Sequence, residues 1–178
     1  MVKVSDCRKL RNLMSPSVAR GALNLRILKI DGCQSMEEMI TKEEQQGEGT
    51  MTLFPLLEEL KLWDLPKQGH FFLTNEALEF SFLREVLIDD CPEMKTFVQQ
   101  GISVSTPSLK WVNYDDKVKL DDLNKWTQQR FTSQEQKASQ GTTDGEVFDS
   151  RKLQEDEVMR IVKLDIVLPD NEESCLVA

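Results

Sequence analysis

The residue types able to do chemistry are few and oddly placed. Cys7, Cys33 and Cys91 could ligate a metal or form disulfides, and His70 is the sole histidine in the chain. Metal ligation favours closely spaced Cys pairs, and no C-x-x-C occurs. A Cys–His or Ser–His–Asp nucleophile would have to use His70, which lies in Lys67-Gln68-Gly69-His70-Phe71 and is expected to pack beside Phe71 and Phe72. The carboxylates are plentiful but scattered, with no apolar frame that would raise a pKa for acid–base work. The sequence therefore predicts no catalytic, cofactor-binding or metal-binding residues and no enzyme. The last four residues, Cys175-Leu176-Val177-Ala178, have the C-a-a-X form, which makes Cys175 a candidate for lipidation. The acidic flank Asp170-Asn171-Glu172-Glu173 opposes the basic second signal that stable anchoring needs.

What the cysteines share is a position. Four stretches superpose: Leu25-x-x-Leu28-x-Ile30-x-x-Cys33, Leu57-x-x-Leu60-x-Leu62-x-x-Leu65, Leu83-x-x-Val86-x-Ile88-x-x-Cys91 and Leu109-x-x-Val112-x-Tyr114. Val2-x-Val4-x-x-Cys7 is a further copy cut at the start of the chain. The leading leucines step by 32, 26 and 26 residues, and Cys7 to Cys33 is again 26. L-x-x-L-x-L-x-x-C/N is the pattern of a leucine-rich repeat, in which the L-x-L pair turns inward from a short strand. The Cys slot is then structural, a buried side chain beside backbone groups freed by the turn. One such unit cannot bury its own apolar face, so neighbours must stack to complete a core.

The segments between strands fit that plan. Ser15-Pro16-Ser17 reads as a helix start, with Ser as cap and Pro at the first helical position. Val18, Ala19 and Ala22 are expected to face inward. Pro55 and Pro107 come shortly before strands, and Pro66 and Pro92 follow them, as corners require. Residues 41–50, polar and acidic, hold the six-residue excess of the long step and read as an exposed loop.

Composition bounds the rest. The chain has 178 residues, of which 39 % are hydrophobic and 30 % charged, with a net charge of −9. That balance repels phosphate backbones, so nucleic acid is excluded as a general partner. No apolar run is long enough for a membrane-spanning helix. The start has no signal-peptide core, which points to the cytoplasm and four reduced cysteines. From Thr132 onward there are 11 acidic against 5 basic residues. Residues 132–145 read as a disordered linker, followed by a segment (149–168) whose pattern suits either a short helix or a strand. The division is thus a repeat domain over 1–131 of about five repeats and an acidic, mostly disordered tail over 132–178.

The repeats also resemble a particular family. Leu13-Met14-Ser15-Pro16-Ser17-Val18-Ala19-Arg20-Gly21 is similar to the "NLFSPSVARGL" segment of plant coiled-coil, nucleotide-binding, leucine-rich-repeat disease resistance proteins. Cys33-x-x-Met36-Glu37-Glu38-Met39-Ile40, Phe54-Pro55-Leu56-Leu57-Glu58-Glu59-Leu60-Lys61-Leu62 and Cys91-Pro92-Glu93-Met94-Lys95-Thr96-Phe97 share the likeness. Asp122-Leu123-Asn124 resembles the end of that family's last repeats. No G-x-x-x-x-G-K-[ST] loop occurs, so the family's nucleotide switch does not carry over, and the chain is expected to be a C-terminal piece or a truncated product. The resemblance implies an α/β fold: a short, curved solenoid with parallel concave strands and helical or irregular convex segments. It also implies protein recognition of a pathogen effector, a guarded host protein or the receptor's own nucleotide-binding domain. A ubiquitin-ligase substrate adaptor, a free-standing decoy and a fragment without function are the alternatives.

The expected recognition surface is the concave face. Counting the first leucine as position zero, position four carries Lys3, Lys29, Lys61, Leu87 and Asn113. Position six carries Ser5, Asp31, Trp63, Asp89 and Asp115, and position seven Asp6, Gly32, Asp64, Asp90 and Asp116. Stacking places these in rows ~4.8 Å apart, a lysine row beside an acidic ridge, with an exposed Trp63 in the middle and Trp111 at position two. Aromatics set among charges are typical of protein-binding surfaces, and Lys29, Asp31, Lys61, Trp63, Asp89, Trp111 and Asp115 are the residues assigned to it.

Overall fold

The computed structural model describes residues 1–42, 49–114, 122–139 and 176–177. Each repeat begins with a strand: β1 (Val2–Ser5), β2 (Ile27–Asp31), β5 (Glu59–Trp63), β8 (Glu85–Asp89) and β10 (Trp111–Val112). These strands line up in parallel, in the order β10-β8-β5-β2-β1, with Leu28 opposite Leu60, Leu60 opposite Val86 and Val86 opposite Val112. The inward residues of the repeat pattern are thereby buried on one another: Leu28, Leu60 and Leu62 are fully enclosed, and so is Cys33.

The far side of the coils departs from the helical or irregular segments expected. Among the described residues one helix forms there, α1 (Pro16–Gly21). Ser15 caps it, its side chain accepting from the Val18 amide, with Pro at the first position as anticipated. In so short a helix one narrow stripe faces the core. Pro16 and Ala19, three apart, take it, so Val18 points to solvent with 56 % exposure and Ala22 is only half-buried. The other coils form short strands. β3 (Glu38–Ile40) pairs with β6 (His70–Phe72), and isolated bridges extend that ladder to Met14 and Val98. β4 (Thr50–Thr52), β7 (Ala77–Glu79) and β9 (Val104–Ser105) make a third parallel ladder. Coils of nearly equal length present the same residues to each other at every corner, which allows ladders where helices had been expected. Residues 43–48 of the expected loop lie outside the described residues, and Thr50 at its end belongs to β4.

Between the three ladders lies an aromatic centre. Phe71 stacks on Phe97 with ring centroids 4.5 Å apart and meets Phe54 and Phe80 edge-on at 6.5 and 6.2 Å. These four rings come from three successive coils, Phe71 and Phe80 sharing the middle one, so the core is shared between repeats. His70 lies at the rim, its Nε2 3.4 Å from Glu38 Oε2 on the neighbouring coil.

A stack of this kind ends in backbone groups with no next coil to bond. At one end, three side chains close it. Asn113 accepts from the Ile88 amide at 2.8 Å and donates to the Ile88 carbonyl at 2.7 Å. Asn124, 2 % exposed, accepts from the amides of Phe97 and Val98 and donates to the carbonyls of Gln99 and Ile102. Asp122 accepts from the Val104 amide at 3.2 Å and from Asn124 and Lys125, which makes it also the cap of α2 (Leu123–Ser139). Each of the three ladders thus receives one polar side chain. The helix that carries two of them continues through residues 132–139, expected to be linker. The stretch contains no Gly or Pro, and its Gln, Glu, Lys and Ala are good helix formers. Residues 149–168 lie outside the described residues.

At the other end, β11 (Leu176–Val177) pairs antiparallel with β1. The first strand is therefore paired on both sides. The expectation of four reduced cysteines also fails at Cys7, which is disulfide-bonded, while Cys33 and Cys91 are free.

Because Asn124 holds two buried amides and two carbonyls at once, Asn124→Ala should lower stability by about 3 kcal/mol in urea unfolding, the order expected for stranding buried polar groups. Asn124→Asp should fail to restore it, since a carboxylate can serve the amides but repels the carbonyls. Wild-type stability in either variant would show that α2 does not close the stack.

Candidate protein-interaction face

Register settles which side chains share a row on the outer face of the first sheet. Lys3, Lys29, Lys61 and Leu87 are cross-strand partners in sequence, as are Ser5, Asp31, Trp63 and Asp89. The two rows expected from the repeat count are therefore formed, but their interiors differ from expectation. Leu87 is buried at 6 % exposure and ends the lysine row. Asn113 does not extend it, because β10 stops at Val112 and Asn113 turns into the left-handed region to reach Ile88. Asp115 and Asp116 lie outside the described residues.

The position-seven residues have a backbone reason of their own. Asp6 (φ 58°), Gly32 (φ 64°), Asp64 (φ 48°) and Asp90 (φ 47°) all take left-handed conformations as the chain leaves the strand. Asp and Gly adopt that region at lower cost than most residues. Gly32 is constrained twice, since a Cβ there would come within 2.8 Å of Asp6 Oδ1. The corner keeps the ladder going: the amides of Asp6, Gly32 and Asp64 donate to the carbonyls of Asp31, Trp63 and Asp89 on the next coil. Much of the acidic ridge is thus corner chemistry.

Charge pairing runs in the direction sequence reasoning missed. Lys61 does not reach across to the aspartates. Its Nζ lies 2.9 Å from Glu85 and 3.6 Å from Glu59, the neighbours two positions before the lysine row. Burial alone would depress the Lys61 ammonium, but hydrogen bonding and attraction from Glu85 and Glu59 outweigh it and raise its pKa. One position earlier, Glu58 bridges Arg26 and Arg84 on the coils to either side. Alternation alone could have found Glu59 and Glu85, because positions two and four point to the same face.

Trp63, expected to be exposed, is half-buried, and its indole N–H donates to Asp90 Oδ2 at 3.4 Å. Trp111 is the more available aromatic, with 44 % exposure and Lys110 Nζ 6.0 Å from its ring centroid. Tyr114, just beyond β10 and 77 % exposed, joins it without having been anticipated. Asp89 is met from α2 by Arg130, at 3.3 Å, and Arg130 also donates to the Ile88 carbonyl and lies over the Trp126 ring. Under this contact lies a pocket of about 370 Å³ whose lining includes Asp64, Asp90, Cys91 and Trp126.

The thiols in the face's corner are poor nucleophiles. Burial pushes the Cys91 thiol up to about 12, and burial, with Asp31 and Asp6 nearby, also raises that of Cys33. Cys175, the lipidation candidate, lies outside the described residues. Among the described residues, no group of three or more His, Cys, Asp or Glu side chains could hold a metal ion, and no helix is long and apolar enough to cross a membrane.

Asp31 is the row's most burdened carboxylate. Burial raises its pKa, repulsion from Asp6 and Asp64 adds to this, and Lys3 partly offsets it. A carboxyl whose folded pKa is raised binds its proton more tightly in the fold, so stability declines as pH rises from the ordinary value of 3.8 toward the folded one. Asp31→Asn removes that penalty. Its melting temperature should exceed the wild type's at pH 7, and the gain should vanish when pH falls below 3.8. Equal melting at pH 7 would count against the burial and repulsion described.

The comparisons with known proteins bear on this fold. A family model described as plant disease resistance protein RPS2-like, leucine-rich repeats, matches residues 1–110. No curated protein and no solved structure matches the chain. The matched residues carry every complete coil with its strand register, aromatic centre and corner row. The chain belongs to the RPS2-like leucine-rich repeats of plant disease resistance proteins.

Proposed function

We propose that this chain is a protein-recognition module of a plant innate immune receptor of the coiled-coil, nucleotide-binding, leucine-rich-repeat type. In this reading its coils form a short curved solenoid whose concave sheet contacts a protein. The partner is a pathogen effector, a guarded host protein or the receptor's own nucleotide-binding domain, which the repeats restrain. The chain acts by binding and not by catalysis. The observation that carries the reading is the outer face of the first sheet. Its strands hold half-buried charges and the exposed Trp111, with Tyr114 exposed just beyond β10, where a covered sheet would hold apolar residues.

The assigned contacts are Lys29, Asp31, Lys61, Trp63, Asp89 and Trp111, with Asp115 continuing the ridge. The arrangement suits a partner whose charges match it, because Lys61 and Asp89 already have intramolecular partners that a ligand would have to replace or join. The compartment we propose is the cytoplasm, where Cys33 and Cys91 keep their free thiols. The disulfide at Cys7 is the feature that weighs against it.

Trp63→Ala combined with Lys61→Glu should weaken binding to the nucleotide-binding domain of the same receptor, or to a captured effector, by about tenfold or more in calorimetry. Trp111→Ala should do likewise without touching the Trp63–Asp90 bond. Unchanged affinity in both, with circular dichroism as in the wild type, would remove the concave face from the interaction.

A further inference from the structure

The pocket of about 370 Å³ at the Arg130–Asp89 contact has two walls of different character. One is the corner of the first sheet. Asp64 and Asp90 take the same left-handed turn on adjacent coils, with φ 48° and 47°, and Asp89 ends β8 just before it. The other wall is α2, where Trp126 and Arg130, four apart, share a face and Phe131 follows. Pro66, Pro92 and Met94 supply apolar surface between the two.

The charges in this pocket are unequal. Three carboxylates line it, and Arg130 is the one cation among the lining residues. Arg130 is already committed to Asp89, at 3.3 Å, and to the Ile88 carbonyl. Asp64 and Asp90 are met by neutral donors, the Gln34 amide at 3.1 Å and the Trp63 indole at 3.4 Å. The carboxylates do not gather on a point, since among the described residues no group of three or more His, Cys, Asp or Glu side chains could hold a metal ion. The cation that suits them is an elongated one. A lining of acid, proline and aromatic matches a basic side chain, whose stem is apolar and whose head is charged. The aromatic half of that chemistry is already present. Arg130 lies 5.5 Å from the centroid of Trp126, and Lys95 Nζ 5.0 Å from that of Phe131.

We propose that this pocket takes an arginine side chain presented by the partner protein, its guanidinium joining Asp64 and Asp90 and its stem lying against the prolines. The proposal rests on the protein-recognition reading and names the chemistry of one contact. Arginine suits the site better than lysine, because its planar fork can serve carboxylates on two coils at once.

The test titrates the full chain with the peptide acetyl-Gly-Arg-Gly-amide and with its citrulline analogue, whose head has the same shape and no charge. NMR follows the three tryptophan indoles, with Trp126 assigned by Trp126→Phe. The arginine peptide should shift the Trp126 indole and the amides of Asp64 and Asp90 saturably, and bind about tenfold or more tightly than the citrulline peptide. Asp64→Asn combined with Asp90→Asn keeps acceptors for Gln34 and Trp63, so the fold is retained, and should weaken the arginine peptide by about tenfold. Equal binding of the two peptides, undiminished binding by the Asn chain, or shifts confined to another site would each overturn the proposal. So would calcium alone displacing the peptide one for one, which would make this a metal site. None of these outcomes touches the protein-recognition reading, which the Trp63, Lys61 and Trp111 variants test against a whole partner.

Discussion

Parallel stacking commits every coil to bonding its neighbours, and the commitment cannot be met by the coils at the ends. Each terminal coil keeps backbone groups facing outward, and burying them unpaired would cost more than a single coil's packing contributes. The whole design turns on that constraint. Three amide and carboxylate side chains close one end, a short antiparallel strand closes the other, and the interior coils need nothing but each other. The helix α2 is explained the same way. Asp122 starts it, Asn124 lies in its first turn, and both bond ladders that would otherwise be open. Its packing follows from where its first two polar side chains are needed.

Within those closed ends the core is distributed. Phe54, Phe71, Phe80 and Phe97 belong to neighbouring turns of the chain, and each is enclosed only because the others are present. The same interdependence governs the outer face. Lys61 is held by carboxylates on its own strand and the next, and Glu58 ties together arginines from the coils on either side of it. A surface built from such cross-coil pairs is ordered before any partner arrives, which reduces the entropy that binding has to overcome.

How far the amino-acid sequence could be read depends on what kind of information each feature uses. The repeat phase is periodic, so the register of Lys29 against Lys61 and of Asp31 against Trp63 was legible from spacing alone. The cap at Ser15 and the Pro after it are local and were equally plain. The environment of Trp63 was not, because its indole is met by Asp90 from a different coil, twenty-seven residues further along the chain. The corner row carries a signal, a recurring Asp or Gly at one position, but charge patterning alone does not separate backbone geometry from surface charge. The roles of Asn113 and Asn124 were hidden for a related reason. Each bonds a strand more than twenty residues away, and nothing in its own neighbourhood names that strand. Residues 132–139 looked like linker by composition, although their side-chain types tolerate a helix once Asp122 has nucleated it.

The two ends of the first sheet are held by different chemistry. At the α2 end, Asn113, Asp122 and Asn124 tie several coils together through hydrogen bonds spread over three ladders. At the β1 end two residue pairs join β11 to the first strand, and the disulfide-bonded Cys7 lies just beyond it. One closure is noncovalent and shared by several coils, the other local and in part sensitive to reduction. A reducing environment would therefore loosen the chain at β1 and leave the platform around Trp111, Phe97 and Asn124 as it is.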